Sequence, residues 1–185
     1  TLAERIVAKA GAWFRDPERI TVDPTKALRE SIEHWVFHCP SRRKIDFLRR
    51  FEAALKPERA LVFAASNAAI FNIARRLKEL GLPFAALRAT GAKLERRRAI
   101  DDFREGRIRW LLATDLGARG LDVADSDFIL SMDVPEDHEV YVHRAGRTGR
   151  AGAKGISVAV ADLFELKRAS RIAVRYGFAF KCKFL

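Results

Sequence analysis

The chain is poor in cysteine, carrying only Cys39 and Cys182 among 185 residues. They lie too far apart for metal-ligand or redox spacing, which excludes the paired-cysteine zinc and dithiol classes, and both read as reduced thiols. Lys181 and Lys183 flank Cys182 and would favour its thiolate, but a packed or idle thiol is the simpler reading. No metal site is expected. Equally absent is any G-x-x-x-x-G-K-[ST] segment, the glycine loop and lysine that cradle a triphosphate, so a complete phosphate-holding machinery of that type is missing. Leader pattern, long apolar run, repeat and low-complexity stretch are lacking too. The expectation is therefore a soluble, cytoplasmic protein with no membrane partner.

What is present is charge and pattern. A net charge of +11 favours a polyanionic partner, and 49% apolar residues suffice for one domain with a sizeable core. Much of the charge is arginine, including Arg42, Arg43, Arg49, Arg50, Arg75 and Arg76, for which solvated helix faces are the simplest reading. An evenly basic surface would bind RNA and DNA alike through counterion release.

Apolar runs alternate with helical patterns from Thr25 onward, which predicts an α/β fold with a mostly parallel sheet and helices on both faces. Strands are expected at Ser31 to Cys39, in the first part of Ala60 to Asn67 before it runs into a helix, at Leu82 to Leu87, Trp110 to Thr114, Phe128 to Met132 and Ile156 to Val160. Ile45, Leu48 and Leu55 mark one helix face; Ile70, Ile73, Leu77 and Leu80 mark another, capped by Ser66 or Asn67 and ended by Gly81. Leu94, Ile100 and Phe103 mark a third, and Asp162 with Glu165 spells a capping box. In such sheets, ligands bind beyond the carboxyl ends of the strands.

Two segments stand out: Ala113-Thr114-Asp115-Leu116-Gly117-Ala118-Arg119-Gly120-Leu121-Asp122 and His143-Arg144-Ala145-Gly146-Arg147-Thr148-Gly149-Arg150. If the second winds as a helix start, Arg144, Arg147 and Arg150 share one face, where like charges repel unless an anion answers them. A nucleotide phosphate is the obvious candidate. The bland alternative is an arginine-glycine loop that binds anions loosely.

These segments resemble motifs V and VI of the DEAD-box family of ATP-dependent RNA helicases, in the order and separation of its C-terminal, second RecA-like domain. The resemblance implies that ATP lies between two RecA-like domains, with Arg147 and Arg150 reaching the terminal phosphate as arginine fingers. It implies that His143, where DEAH-type relatives usually carry Gln, bonds toward the first domain and couples closure to hydrolysis. Gly120 and Asp122 would meet the nucleotide, Asp122 at the ribose hydroxyls. Thr114 would contact an RNA phosphate, and Arg119 would bridge the RNA and ATP sides. Gly91-Ala92-Lys93-Leu94-Glu95-Arg96 falls at the family's QxxR element. Arg96 keeps the arginine, Lys93 replaces the glutamine, and Arg88-Ala89 replaces a His-Gly; Gly91, Lys93 and Arg96 inherit the RNA role. Ala60 to Asn67 resembles motif IV, with Phe63 expected in the core behind the arginines and Ser66 a further RNA candidate.

By the same resemblance, residues 1–24 would be the tail of the first RecA-like domain plus linker, and 25–185 the helicase C-terminal domain. The pattern of Leu2, Ile6, Val7 and Ala10 also suits a native N-terminal extension, and a further domain is expected beyond Leu185. The phosphate loop and the Asp-Glu-Ala-Asp segment are missing, so this chain alone is expected not to hydrolyse ATP. ATP and Mg2+ would be held fully only with the first domain; RNA is the expected partner, and protein cofactors stay open. Two other readings remain: a non-catalytic RNA- or protein-binding module on this fold, and a DNA-directed superfamily 2 helicase.

Overall fold

The computed structural model describes residues 25–87, 93–118, 120, 126–149 and 153–185. The expected N-terminal tail, residues 1–24, lies outside them. In chain order the elements are α1 (Lys26–Glu30), β1 (Ile32–His38), a short 3-10 turn (Ser41–Arg43), α2 (Lys44–Leu55), β2 (Ala60–Phe63), α3 (Asn67–Glu79) and β3 (Phe84–Leu87). They continue as α4 (Lys93–Arg104), β4 (Trp110–Ala113), β5 (Phe128–Ser131), α5 (His138–Ala145), β6 (Gly155–Ala161), α6 (Leu163–Tyr176) and β7 (Phe180–Lys183).

The strands form one seven-stranded sheet in the order β3-β4-β2-β5-β6-β1-β7. Every described pairing is parallel, so the mostly parallel expectation resolves to a wholly parallel one. Both faces are covered, as parallel strands require. Alternation sends Ala60 and Val62 to one face, where Phe47, Leu48 and Phe51 of α2 and Ile70, Ile73 and Leu77 of α3 pack. Leu61 and Phe63 point to the other, against Phe103 of α4. That second face is completed by Leu28 of α1, Tyr141 and Ala145 of α5, and Ala169 and Ile172 of α6.

Local signals held where they were purely local. Ser66 caps α3, its hydroxyl accepting from the Ala69 N–H at 3.2 Å. Asp162 and Glu165 form the expected capping box on α6. Two differences have physical causes, and one strand was not expected. β3 begins at Phe84 rather than Leu82, because Pro83 has no N–H for the ladder and its carbonyl instead accepts from Arg109 and Trp110. Leu94 was expected on the buried face of α4 but is 60% exposed, the helix being anchored from its other end by Phe103. Phe180–Lys183, where no strand was expected, forms β7, an edge strand paired to β1.

Candidate functional site

The site starts from register. Phe63, the last residue of β2, pairs with Ala113 at the end of β4 and with Ser131 at the end of β5, so three neighbouring strands stop level. Each flanking strand then places an aspartate two residues on, Asp115 and Asp133.

Arg144 closes this arrangement. It lies in the last turn of α5, and because helical side chains lean toward their own N-terminus, it reaches back to the strand ends. Its Nε and Nη2 donate to the two carboxylate oxygens of Asp115 at 2.7 and 2.8 Å. Nη1 donates to the Asp133 carbonyl at 3.0 Å, and Nη2 to its Oδ2 at 3.1 Å. The guanidinium carbon sits 5.4 Å from the centroid of the Phe63 ring. The residue is 2% exposed. Burial by itself would lower the Arg144 pKa, but the hydrogen bonds and charges of Asp115 and Asp133 outweigh it and hold the pKa above its ordinary value.

Two expectations change here. The segment His143 to Arg150 ends a helix instead of starting one: α5 is capped at its beginning by Asp137, which accepts from the Glu139 N–H at 2.8 Å, and stops at Gly146. Arg144 does not join Arg147 on a shared anion-seeking face, because the chain supplies its anions itself.

Arg147 and His143 line a cleft with Phe63, Asp115, Ala118, Val140 and Arg144. His143 is exposed and Arg147 half-buried. The cleft measures ≈ 100 Å³, well below the roughly 300–1,000 Å³ of pockets that enclose a ligand unaided. It is one wall of a site. Arg147 is held between two anchors. On one side its N–H donates to the Arg144 carbonyl at 3.1 Å. On the other, Thr148 Oγ1 donates to the Ser126 carbonyl at 2.7 Å, and Gly149 packs against the start of β1. Gly149 has φ +66°, and a Cβ there would lie 2.7 Å from Cγ1 of Ile32, so both backbone and space require glycine.

The RNA candidates lie toward β3 and β4. Thr114 follows β4, and its Oγ1 accepts from the Gly117 N–H at 3.1 Å, which leaves the hydroxyl proton to donate elsewhere. Gly117 lets that turn lie against β3, since a Cβ would come 2.8 Å from the Leu87 carbonyl oxygen. Lys93 and Arg96 occupy the first turns of α4, Lys93 exposed and Arg96 half-buried. Gly120 is exposed, with φ +68° and open space beside it. Ser66 spends its acceptor on the α3 cap, and Phe63 is core, as expected. Gly91, Arg119, Asp122 and Arg150 lie outside the described residues. Asp115, Asp133 and Arg144 were not foreseen as a unit; the available signal was the equal two-residue offset of the aspartates from strands β4 and β5.

Comparison with known proteins agrees with this fold. The model of the helicase conserved C-terminal domain matches residues 43–152. The chain is 32% identical over 170 residues to the ATP-dependent RNA helicase SrmB of Haemophilus influenzae, covering 91% of this chain and 39% of that protein. It is 29% identical over 178 residues to the ATP-dependent RNA helicase DbpA of Bacillus subtilis, covering 96% and 37%. The chain thus spans well under half the length of these relatives. Among solved structures, the C-terminal domain of the DEAD-box protein Dbp5 superposes with TM-score 0.77 at 28% identity, covering 83% of this chain and 90% of that one. Dbp5 of S. cerevisiae bound to RNA and ADP BeF3 superposes with TM-score 0.84 at 26% identity, covering 99% and 49%. The chain therefore belongs to the helicase conserved C-terminal domain family and, within it, to the C-terminal RecA-like domains of DEAD-box RNA helicases.

Proposed function

We propose that this chain is the C-terminal half of an ATP-dependent RNA helicase, supplying Arg147 and Arg150 as arginine fingers and part of the RNA track for local duplex unwinding. The observation that carries the reading is the clamp of Arg144 on Asp115 and Asp133, which anchors the end of α5 so that Arg147 and His143 line one open wall. A guanidinium fixed before reaction meets charge developing on the transferring phosphoryl group without reorganising, which is how such groups lower a barrier. His143, at the rim, would bond toward the first RecA-like domain and couple closure to hydrolysis. Gly120 and Asp122 would hold the ribose side of ATP.

Thr114, with its hydroxyl proton available, would donate to an RNA phosphate, joined by Gly91, Lys93, Arg96 and Arg119. Such contacts set position and carry no base information. Among the described residues no group of three His, Cys, Asp or Glu side chains gathers in metal-binding geometry, and in this reading Mg2+ is held between ATP and the first domain. Closure of the two domains on ATP and RNA would bend one strand and part a short duplex, and hydrolysis would reopen the cleft in a cytoplasmic enzyme.

The test is ATPase turnover with RNA, measured on this chain alone and mixed with the matching first domain. The expected result is silence alone and RNA-stimulated turnover once completed. Silence in both settings would favour a non-catalytic RNA- or protein-binding module, and stronger stimulation by DNA would favour a DNA-directed enzyme.

A further inference from the structure

The arginines of α2, α3 and the turn before α2 are not used by the site above; most are exposed, as solvated faces would be, yet several gather around one cleft. Arg43, Arg49, Arg50 and Arg76 converge with Lys183 around a cleft of ≈ 460 Å³ at the carboxyl ends of β1 and β7. The cleft opens on the α2–α3 side of the sheet, opposite the face that holds Phe63 and Arg144. Its floor is apolar, with Phe37, Cys39 and Phe47 all buried.

The positive charge there is largely unanswered. The single acid in the lining, Asp46, is taken by Arg76 at 3.2 Å. Among the described residues Arg43 and Arg49 meet no carboxylate, and Arg50 reaches only the Leu185 carbonyl at 3.4 Å. Arg76 bonds Asp46 and Glu79, while its Nε is buried without an acceptor. The field is felt inside the cleft: burial pushes the Cys39 thiol upward, and Lys44, Arg50 and Arg43 pull against it.

The chemistry of the walls separates two polyanions. A single RNA strand is gripped by stacking its bases on open aromatic faces. Here Phe37 and Phe47 are floor, and the Trp35 ring is covered by Lys183, whose Nζ stands 4.8 Å from its centroid. Two rings in the lining are open, Phe184 at 90% exposed and the smaller imidazole of His38. The RNA candidates at β4 also stand five strand spacings from β7, about 24 Å, so the cleft does not continue their track. Carboxylates need no stacking and fit arginine forks in pairs. Beside the cleft runs β7, which among the described residues pairs only with β1 and leaves its outer backbone groups for another strand.

We propose that this cleft docks an extended, carboxylate-rich peptide of a protein partner, laid along the outer edge of β7 with its acidic side chains between Arg43, Arg49 and Arg50. Edge pairing would supply backbone affinity and the arginine walls the selection for acids. The experiment is fluorescence anisotropy of this chain with a labelled decaglutamate peptide and, separately, a labelled ten-nucleotide uridine RNA. In Arg49→Glu/Arg50→Glu, two exposed positions whose exchange should leave the melting temperature near that of the parent, peptide affinity is expected to fall at least about tenfold, with RNA affinity unchanged. Arg171→Glu/Arg175→Glu, an equal charge reversal on exposed positions of α6 across the sheet, should leave peptide affinity within about twofold of the parent. Unchanged peptide binding in the first variant, an equal loss in the second, or loss of RNA affinity in the first would each overturn the proposal; the last would make the cleft a second RNA surface.

Discussion

Replacing Asp115 by Asn tests the clamp with almost no change of shape. Asp115 takes both a 2.7 Å and a 2.8 Å hydrogen bond from Arg144, which is 2% exposed. An amide offers one oxygen where the carboxylate offered two, and its NH2 turns a donor toward a donor. Hydrogen bonds to charged groups contribute about 1.5–3 kcal/mol each. The Asp115 side chain is 41% exposed and Arg144 keeps Asp133, so the sum is discounted to about 2 kcal/mol. For a chain of this size that is a fall in Tm of about 4–8 °C. The assay is thermal unfolding followed by circular dichroism at neutral pH, in low salt and in 0.5 M NaCl, the gap persisting in salt because the buried partner is poorly screened. Arg107→Ala is the control: its pair with Asp102 is exposed on both sides, and Tm should move by less than about 2 °C. An Asp115→Asn variant that melts with the parent, or no earlier than the control, would refute the argument that Arg144 is held by this carboxylate.

In the completed two-domain enzyme, Arg147→Ala should lower ATP turnover at least about a hundredfold with RNA affinity within about threefold, read by coupled ATPase assay and anisotropy; normal turnover removes the finger assignment. Gly149→Ala, forced to φ +66° with its Cβ 2.7 Å from Ile32, should cost about 2 kcal/mol or more, seen as a lower urea midpoint at constant m. Acid should destabilise the fold through His34, whose Nε2–H donates to the Leu28 carbonyl at 2.8 Å and whose Nδ1 accepts from Tyr141 at 2.7 Å. Burial lowers its pKa from 6.5 to about 4, so the unfolded chain binds the proton more readily. The His34 contribution is whole above pH 6.5 and is lost as pH falls toward 4, by about 3 kcal/mol in all. Unfolding free energy followed across that window should show the drop in the parent and a flatter profile in His34→Gln.

Much of the fold was legible because it is written at short range. Apolar runs marked β1, β2, β4, β5 and β6, a 3.6-residue period marked the faces of α2 and α3, and Ser66 and Asp162 capped the helices they precede. The site was legible in part. Thr114 follows β4, His143 and Arg147 line the cleft beside Phe63, and Phe63 is buried in the core. The fate of Arg144 was not readable, because its partners stand 29 and 11 positions away on strands brought level only by the sheet. A run of arginines looks the same in sequence whether its anion is a bound phosphate or the chain's own carboxylates.

The sequence by itself thus determined the family, the α/β class and which arginine segment bears on the cleft, since these follow from local periodicity and from motifs a few residues long. Only the tertiary structure decided that Arg144 is a buried strut, that the backbone around Arg147 is anchored on both sides, and that Arg43 and the arginines of α2 and α3 meet Lys183 of β7 around a second cleft. Each of these is a meeting of side chains from separate strands and helices, and such distances are set by sheet register and helix packing.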